Sequence, residues 1–480
     1  MSTLRNSLVW SFAERYLSLL ITIGSTLILA RILTPTQIGI FSMCAAVTAV
    51  AGILRDFGVS EYLIQEKDLT RQKLKAALGI ALGVAWSIGA VVFVSRSVIA
   101  DYYQEQGLSD VLAVLTLNFL ILPFASPSFA LLNREMAFRK VFAVQTTSTA
   151  IHATTAVVLA YQGHGYMSMA WAQVAAISSQ VVILVFLRPE GTLLLPSLAG
   201  ASAVLRYGSM FASSRVIETL ARNAHEFVVA RQFGFAAVGL FSRGFGLIEL
   251  FHTNVASAIL RVATPSFAAD HRAGLPLTDA FARGTAIFTC IAWPFFGFTA
   301  LMAADIIRLL FGPQWDAAAP IATILALAVM PTYLFALGPN ILAATGNVRT
   351  RLNISLVFSP IHIAGVVVAS FISLEAVAAV WFLTNLLMLL LYVHHLKRVL
   401  KASTGQLFSS CIPSLAVTGA SAGAQVGTLL ICRHFDFPLI VGLALVVFSG
   451  ALSWLAAIWA TQHPIYAELR RLLAYRRSSG

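Results

Sequence analysis

Residues 28–43 read ILARILTPTQIGIFSM: an apolar run that stops at Thr34-Pro35 and then begins again. Proline lacks an amide proton and its fixed φ suits the first turn of a helix, so Thr34-Pro35 marks a boundary between two helices. The run before this turn, 8–30, and the run after it, 38–54, are each about as long as a bilayer-spanning helix, which takes roughly 20 mostly apolar residues. Working outward in both directions gives fourteen such runs. They lie near 8–30, 38–54, 74–94, 110–132, 142–161, 167–187, 206–230, 238–259, 282–303, 317–338, 352–371, 376–394, 411–431 and 438–459. Short connections rich in Gly, Pro and polar residues separate them, among them Gln162-Gly163-His164-Gly165 and Gly346-Asn347. The expectation is an all-α polytopic membrane protein.

Composition agrees. Of 480 residues, 58% are hydrophobic and 11% charged, whereas soluble domains carry about a quarter charged residues. The net charge of +12 comes from Lys and Arg scattered over many short loops. This is the pattern of loops facing the cytoplasm rather than of a nucleic-acid surface. With both termini inside, the inner segments carry 23 basic residues and the outer ones 5, the other four lying within spans. That split places both termini in the cytoplasm. The basic tail (Arg470, Arg471, Arg476, Arg477) could touch anionic lipid but reads rather as an anchor of the tail itself. The cysteines Cys44, Cys290, Cys411 and Cys432 form no CxxC pair and sit in or beside apolar runs, as small hydrophobes do. Glu14 and Arg15 interrupt the first apolar stretch, so it reads as a span rather than a cleaved leader.

The opening segment has an echo 200 residues later. Shifted without gaps, it falls on VVARQFGFAAVGLFSR at 228–243, pairing Ala30-Arg31 with Ala230-Arg231, Gly39 with Gly239 and Phe41-Ser42 with Phe241-Ser242. Arg15 falls on Arg215. Spans 1 and 7 are then equivalent. The chain divides into two six-helix bundles, 1–190 and 191–400, two further helices in 401–460 and a tail, 461–480. An even number of helices per half makes the repeat parallel, a design in which substrate binds between the halves.

Charges inside a span cost about 2.5–3.5 kcal/mol at its centre and so mark candidate sites. Span 1 carries Glu14 and Arg15, with Ser11, Ser18, Thr22 and Ser25 at three- and four-residue steps on one face. Span 7 repeats the pattern with Arg215, Glu218, Arg222 and Glu226, His225 lying beside them. Two matched polar stripes suggest a wet cavity. Structural ion pairs, or snorkelling toward the cytoplasm, are the alternative. Arg243 and Glu249 are weaker candidates. His152 and His252 read as packing residues, and His394-His395 at a helix end does not make a metal site. There is no GxxxxGK[ST] loop, HExxH or GxSxG, so no catalytic set, metal or cofactor is expected.

Several segments together resemble the polysaccharide-export, or oligosaccharide flippase, family of the multidrug/oligosaccharidyl-lipid/polysaccharide exporter superfamily. ARILTPTQIGIFSM resembles its first inter-helix motif and RDFGVSEYLIQ (55–65) its second. LNREMAFRKVFAVQ resembles the entry to span 5, and GHGYMSMAWAQ the turn into span 6. FGPQWDAAAPIATILALA and ATGNVRTRLNI resemble the entries to spans 10 and 11. The resemblance implies two six-helix bundles forming a V with alternating access. It also implies a substrate, an undecaprenyl-diphosphate-linked oligosaccharide, carried from the cytoplasmic to the periplasmic leaflet of a bacterial inner membrane for exopolysaccharide, capsule or O-antigen synthesis. Polysaccharide polymerase and export machinery would be partners, and nucleic acid would not. A cavity bearing guanidinium groups could replace the water stripped from the diphosphate. The rival readings are a multidrug antiporter of the same superfamily and a membrane glycosyltransferase or polymerase; the latter needs catalytic carboxylates or a long soluble loop.

The charge asymmetry carries a topological prediction. Reporter fusions after residues 36, 104 and 164 should be active only as periplasmic reporters. Cytoplasmic signals at all three would refute the topology.

Overall fold

Once an apolar run enters hydrocarbon, each backbone amide must find its partner within the chain, and the helix does this locally. The computed structural model is accordingly built of helices. It describes residues 2–56, 59–66, 68–188, 195–197, 201–468 and 470; the side chains of 2–9, 11, 12, 61, 65, 201–215 and 348 lie outside the description. In chain order the helices are α1 (Ser2–Ile32), α2 (Pro35–Asp56), α3 (Val59–Gln65), α4 (Arg71–Tyr103), α5 (Gln106–Ile121), α6 (Ser126–Arg134), α7 (Phe138–Tyr161), α8 (Met167–Leu187), α9 (Ala201–Phe251) and α10 (Ser257–Arg272). There follow α11 (Leu277–Phe311), α12 (Ala319–Val329), α13 (Thr332–Phe335), α14 (Gly338–Ala344), α15 (Val348–Ser370), α16 (Leu374–Leu400), α17 (Thr404–Phe408), α18 (Ile412–His434) and α19 (Leu439–Ala460).

Twelve helical stretches among the described residues are long and apolar enough to cross a membrane, against fourteen expected runs. Two places account for the difference. Residues 216–272 form one stretch of 57 residues, although Gly234 (φ 79°, ψ 176°) breaks the helix inside it. α7 is 24 residues long but is not among the twelve. Arg139, Lys140, Gln145 and six Ser and Thr residues dilute its apolar character. Several helices also run past their apolar cores. α4 covers 33 residues and α11 covers 35, because charged residues at helix ends reach toward water while the backbone continues unbroken.

Contacts divide the chain into two compact units, Met1–Gly239 and Leu240–Gly480. In the first, α7 packs on α1 and α8, and α4 on α5. The boundary falls later than the 190/191 junction expected from the spans because the middle of α9 packs on the helices before it. The Tyr103 hydroxyl donates to the Phe227 carbonyl (3.2 Å), and the Arg231 guanidinium lies over the Tyr102 ring at 5.4 Å. α2 crosses α9 by a reciprocal contact of glycines: a methyl at Gly39 would collide with the Phe235 carbonyl, and one at Gly239 with the Pro35 carbonyl. The two contacts are related by the same 200-residue shift that relates the sequences. Small residues let backbones approach this closely in membranes.

The sequence motifs become joints between helices. Arg134, from the LNREM segment, donates to the carbonyls of Leu63 (2.9 Å), Ile64 (3.4 Å) and Glu66, so a cation caps the C-terminal end of α3. Tyr166 of the GHGY turn lies against Gly107, and Gly165 against Gln37 of the TPTQ turn; a Cβ at either glycine would come within 3.0 Å of those side chains. In the second unit Trp315 of FGPQW is fully buried. Arg243 stands 5.3 Å from both its ring and that of Phe311. The interruptions between α5 and α6 and between α12 and α14 fall at prolines in both units (Pro123 and Pro127; Pro331 and Pro339). The four cysteines are buried and unpaired.

Beyond α19 the chain folds back on the second unit through His463, which is 1% exposed. The Ile465 amide donates to its Nδ1 (3.2 Å). The ring proton is therefore on Nε2, which donates to Ser414 Oγ of α18 (3.0 Å). Ser414 in turn donates to the Ala286 carbonyl of α11 (3.1 Å). Burial lowers the histidine pKa to about 4 from its ordinary 6.5, so the ring is neutral in the fold.

Two predictions follow from these contacts. Ala ordinarily suits a helix better than Gly by about 0.5–1 kcal/mol, yet Gly39→Ala and Gly239→Ala should each lower the thermal midpoint of the purified protein. Gly24→Ala, where a methyl meets nothing within 4 Å, should leave it unchanged or raised. Equal behaviour of all three would remove the glycine contact. For His463, the unfolded chain takes up the proton below about pH 6.5 and the fold resists it until about pH 4. Its contribution to stability is thus complete above pH 6.5 and declines as pH falls toward 4. The difference in midpoint between wild type and His463→Gln should shrink over that window; a constant difference would contradict the neutral-ring assignment.

Candidate functional site

The charged residues of the two polar stripes lie on α1 and on the part of α9 before Gly234, within the first unit; the weaker candidates Arg243 and Glu249 lie in the second. On α1, Glu14, Arg15 and Ser18 are half-buried and Thr22 is exposed. Ser25 is buried and donates to the Thr22 carbonyl (3.0 Å), so its hydroxyl is used by its own helix. On α9, Glu218, Arg222, His225 and Glu226 recur at four, seven and eight residues and so share one face. That face is graded. Glu218 is half-buried and Arg222 exposed, while His225 and Glu226 are 3% and 8% exposed. The Arg215 side chain lies outside the described residues, as do those of Ser11 and the tail arginines Arg471, Arg476 and Arg477.

Among these residues His225 Nε2 stands 3.6 Å from Glu226 Oε1. This is longer than a hydrogen bond and within ion-pair range if the ring is protonated. The second carboxylate oxygen of Glu226 is buried with no hydrogen-bond partner among the described residues, an arrangement that costs about 1–3 kcal/mol or more for a charged group. Arg222 sits one turn away and is exposed. The face therefore offers an accessible guanidinium with a buried carboxylate behind it. Guanidinium groups grip phosphate oxygens by paired hydrogen bonds.

Arg243 belongs to a different setting. Its guanidinium stands over the rings of Phe311 and Trp315 in the second unit. His152 is half-buried in α7. His394 and His395 are edge-to-face neighbours at 5.3 Å.

Sequence reasoning passed over two polar groups. His362 is 1% exposed within α15; its Nδ1 is 3.0 Å from Thr384 Oγ1 and its ring meets the Trp381 ring at 4.8 Å. Thr384 donates its own proton to the Val380 carbonyl (2.9 Å), so it accepts from His362. The second group, Asn118 and Gln173, is part of the lining of a cavity of about 270 Å³ between α2, α5 and α8 in the first unit. Neutral amides and a lone histidine in apolar runs draw less notice than charges, yet the same rule of costly intramembrane polarity would have selected them.

With fold and site described, the likeness to known proteins is informative. The chain is 23% identical to the teichuronic acid biosynthesis protein TuaB of Bacillus subtilis over 93% of both chains. It is 24% identical to the lipopolysaccharide biosynthesis protein WzxC of Escherichia coli, over 62% of this chain and 61% of that one. It is 23% identical to the succinoglycan biosynthesis transport protein ExoT of Rhizobium meliloti, over 62% and 61%. The chain thus spans about three-fifths of the length of the last two. Among solved structures it shares the fold of the lipid II flippase MurJ in an inward closed conformation, with a TM-score of 0.74 at 11% identity over 96% of this chain and 99% of that one. An inward-facing multidrug resistance MATE transporter follows at 0.60 and 12%, over 81% and 96%. Residues 28–320, more than half of the chain, match the model of the family described as polysaccharide biosynthesis protein. This multi-pass helical membrane protein belongs to that family.

Proposed function

We propose that the chain is a transporter that carries an undecaprenyl-diphosphate-linked oligosaccharide from the cytoplasmic to the periplasmic leaflet of a bacterial inner membrane. Family membership is the observation that carries this reading, since the model covers residues 28–320. The names of TuaB, WzxC and ExoT, all concerned with surface or secreted polysaccharides, support it. So does a fold shared with a lipid II flippase. Both termini are cytoplasmic in this reading, with fourteen crossings. Those are the twelve apolar stretches with α7 added and 216–272 divided at Gly234. The repeat of two six-helix bundles is supported by the reciprocal Gly39 and Gly239 contacts and by the proline breaks at matching places. Polymerase and export proteins would receive the product.

The chemistry asked of the protein is modest. A diphosphate cannot enter hydrocarbon without replacing its water, at several kcal/mol per polar group. Arg15, Arg215 and Arg222 would supply that replacement, while the prenyl tail stays in lipid. Glu14, Glu218 and Glu226 would balance the guanidinium charges when no substrate is bound, with His225 beside Glu226. Arg222 is the most important of these because it is exposed one turn from a buried carboxylate.

In a strain lacking the gene, Arg222→Gln should abolish export of the surface polysaccharide at unchanged protein level. Arg222→Lys should keep part of it, because a point charge remains. Full export by the Gln variant would end the binding role. Restored drug efflux without polysaccharide would favour the multidrug antiporter.

A further inference from the structure

The second unit contains a polar cavity of about 490 Å³, within the roughly 300–1,000 Å³ range of small-molecule sites. Three segments far apart in the chain build it. They are the first two turns of α11, the stretch from α17 through the 3-10 turn Ser409–Cys411, and Pro464 just beyond α19. The hydrogen bonds that run from His463 through Ser414 to the Ala286 carbonyl tie the same three segments together, so the walls are fixed relative to one another. The polar lining is accessible: Asp279, Arg283, Gln406 and Ser409 are exposed, and Thr278 and Ser410 half-buried.

The wall divides by chemistry. Arg283 brings a guanidinium. Gln406 Oε1 accepts from the Ser403 amide (2.8 Å) in the capping box of α17, which leaves its Nε2 protons to donate. The Ser409 and Ser410 hydroxyls make no hydrogen bond among the described residues. All of these are donors suited to phosphate oxygens. Asp279 brings a carboxylate. Thr278 Oγ1 gives its proton to the Leu400 carbonyl (3.3 Å), so it can only accept. These two suit an ammonium. Asp279 and Arg283 lie one turn apart on α11, yet neither enters an ion pair among the described residues. An exposed pair at that spacing gains little, so both remain available. A bare anion would meet Asp279 and a bare cation would meet Arg283, whereas a zwitterion satisfies both. Ser409, Ile412 and Leu415 then step by three into α18, and Ile412 and Leu415 are 66% and 59% exposed. An apolar stripe thus begins where the polar wall ends, the layout of a headgroup over acyl chains.

We propose that this cavity holds the phosphoethanolamine headgroup of a membrane lipid. Arg283, Gln406 and the two serines would take its phosphate, Asp279 and Thr278 its ammonium, and Ile412 and Leu415 an acyl chain. One such lipid would bridge α11 to the segments that flank α18 and α19 and so stabilise the unit. The site stands apart from the α1 and α9 stripes and does not depend on what cargo they handle.

The test uses the full chain in detergent micelles, freed of bound lipid. Native mass spectrometry counts lipids and the thermal midpoint reads their effect. Phosphatidylethanolamine should raise the midpoint. It should bind about tenfold more tightly than phosphatidylcholine, whose nitrogen has no proton to donate, or phosphatidylglycerol, whose headgroup has no cation. That factor is the one expected for loss of a charge-assisted hydrogen bond. Asp279→Asn should remove the preference over phosphatidylglycerol, and Arg283→Gln should weaken all three lipids about tenfold. Both positions are exposed, so the lipid-free midpoints of the variants should match that of wild type. Equal binding of the three lipids by wild type would overturn the proposal. So would a preference that survives both substitutions. Soluble phosphoethanolamine or inorganic phosphate that raises the midpoint as far as the lipid does would overturn the lipid as the occupant.

Discussion

Hydrocarbon offers no hydrogen bonds, and most of this structure follows from that constraint. Backbone groups must pair within the chain, which leaves helices as the building element. The space between helices is then filled either by apolar side chains or, where backbones must touch, by glycine. At the crossing of α2 and α9, Gly39 and Gly239 each face a carbonyl that leaves no room for a methyl. This contact and its partner obey the repeat in the sequence, so one close approach is used twice. Polar side chains are tolerated only where they are paired, reach water or serve a ligand, and that rule makes Glu226, Asn118 and Gln173 conspicuous.

The motifs that relate this chain to its family and the residues that would handle substrate are mostly different residues. Arg134 collects three carbonyls at the end of α3, Tyr166 covers Gly107, and Trp315 is buried beside Arg243. These are joints that fix how helices end and meet, and they say little about cargo. The polar positions on α1, α9 and the α2–α5–α8 cavity lie between such joints. Rigid joints around polar sites suit a transporter. In the proposed function, packing would hold each site in position and bound substrate would offset the cost of its buried polar groups.

Much of the fold was legible in the sequence, because runs of about 20 apolar residues and Pro or Gly turns have few other physical meanings. Helix lengths were less legible. An apolar run reports the apolar part of a helix, whereas α4 and α11 continue past theirs with charged ends that look like loop. The polarity of α7 keeps it out of the twelve most apolar stretches, although the run 142–161 within it reads as a span and α1 and α8 pack on it. The site was legible where charge made it stand out, as at Arg222 and Glu226, and illegible where tertiary contacts create it. Asn118 and Gln173 are separated by 55 positions in the chain, and nothing in either segment shows that they border one cavity. The link from His463 through Ser414 to α11 is of the same kind.

The central claim is that the chain passes a sugar diphosphate headgroup from one leaflet to the other, and vesicles address it directly. Proteoliposomes holding the purified protein and an undecaprenyl-diphosphate oligosaccharide, loaded in both leaflets, would be exposed to a membrane-impermeant glycan-cleaving enzyme. Continuous flipping should bring nearly all of the glycan to the enzyme, whereas protein-free vesicles should protect the inner-leaflet half. Equal protection in the presence and absence of the protein, across the membrane potentials and ion gradients that could drive transport, would contradict the account.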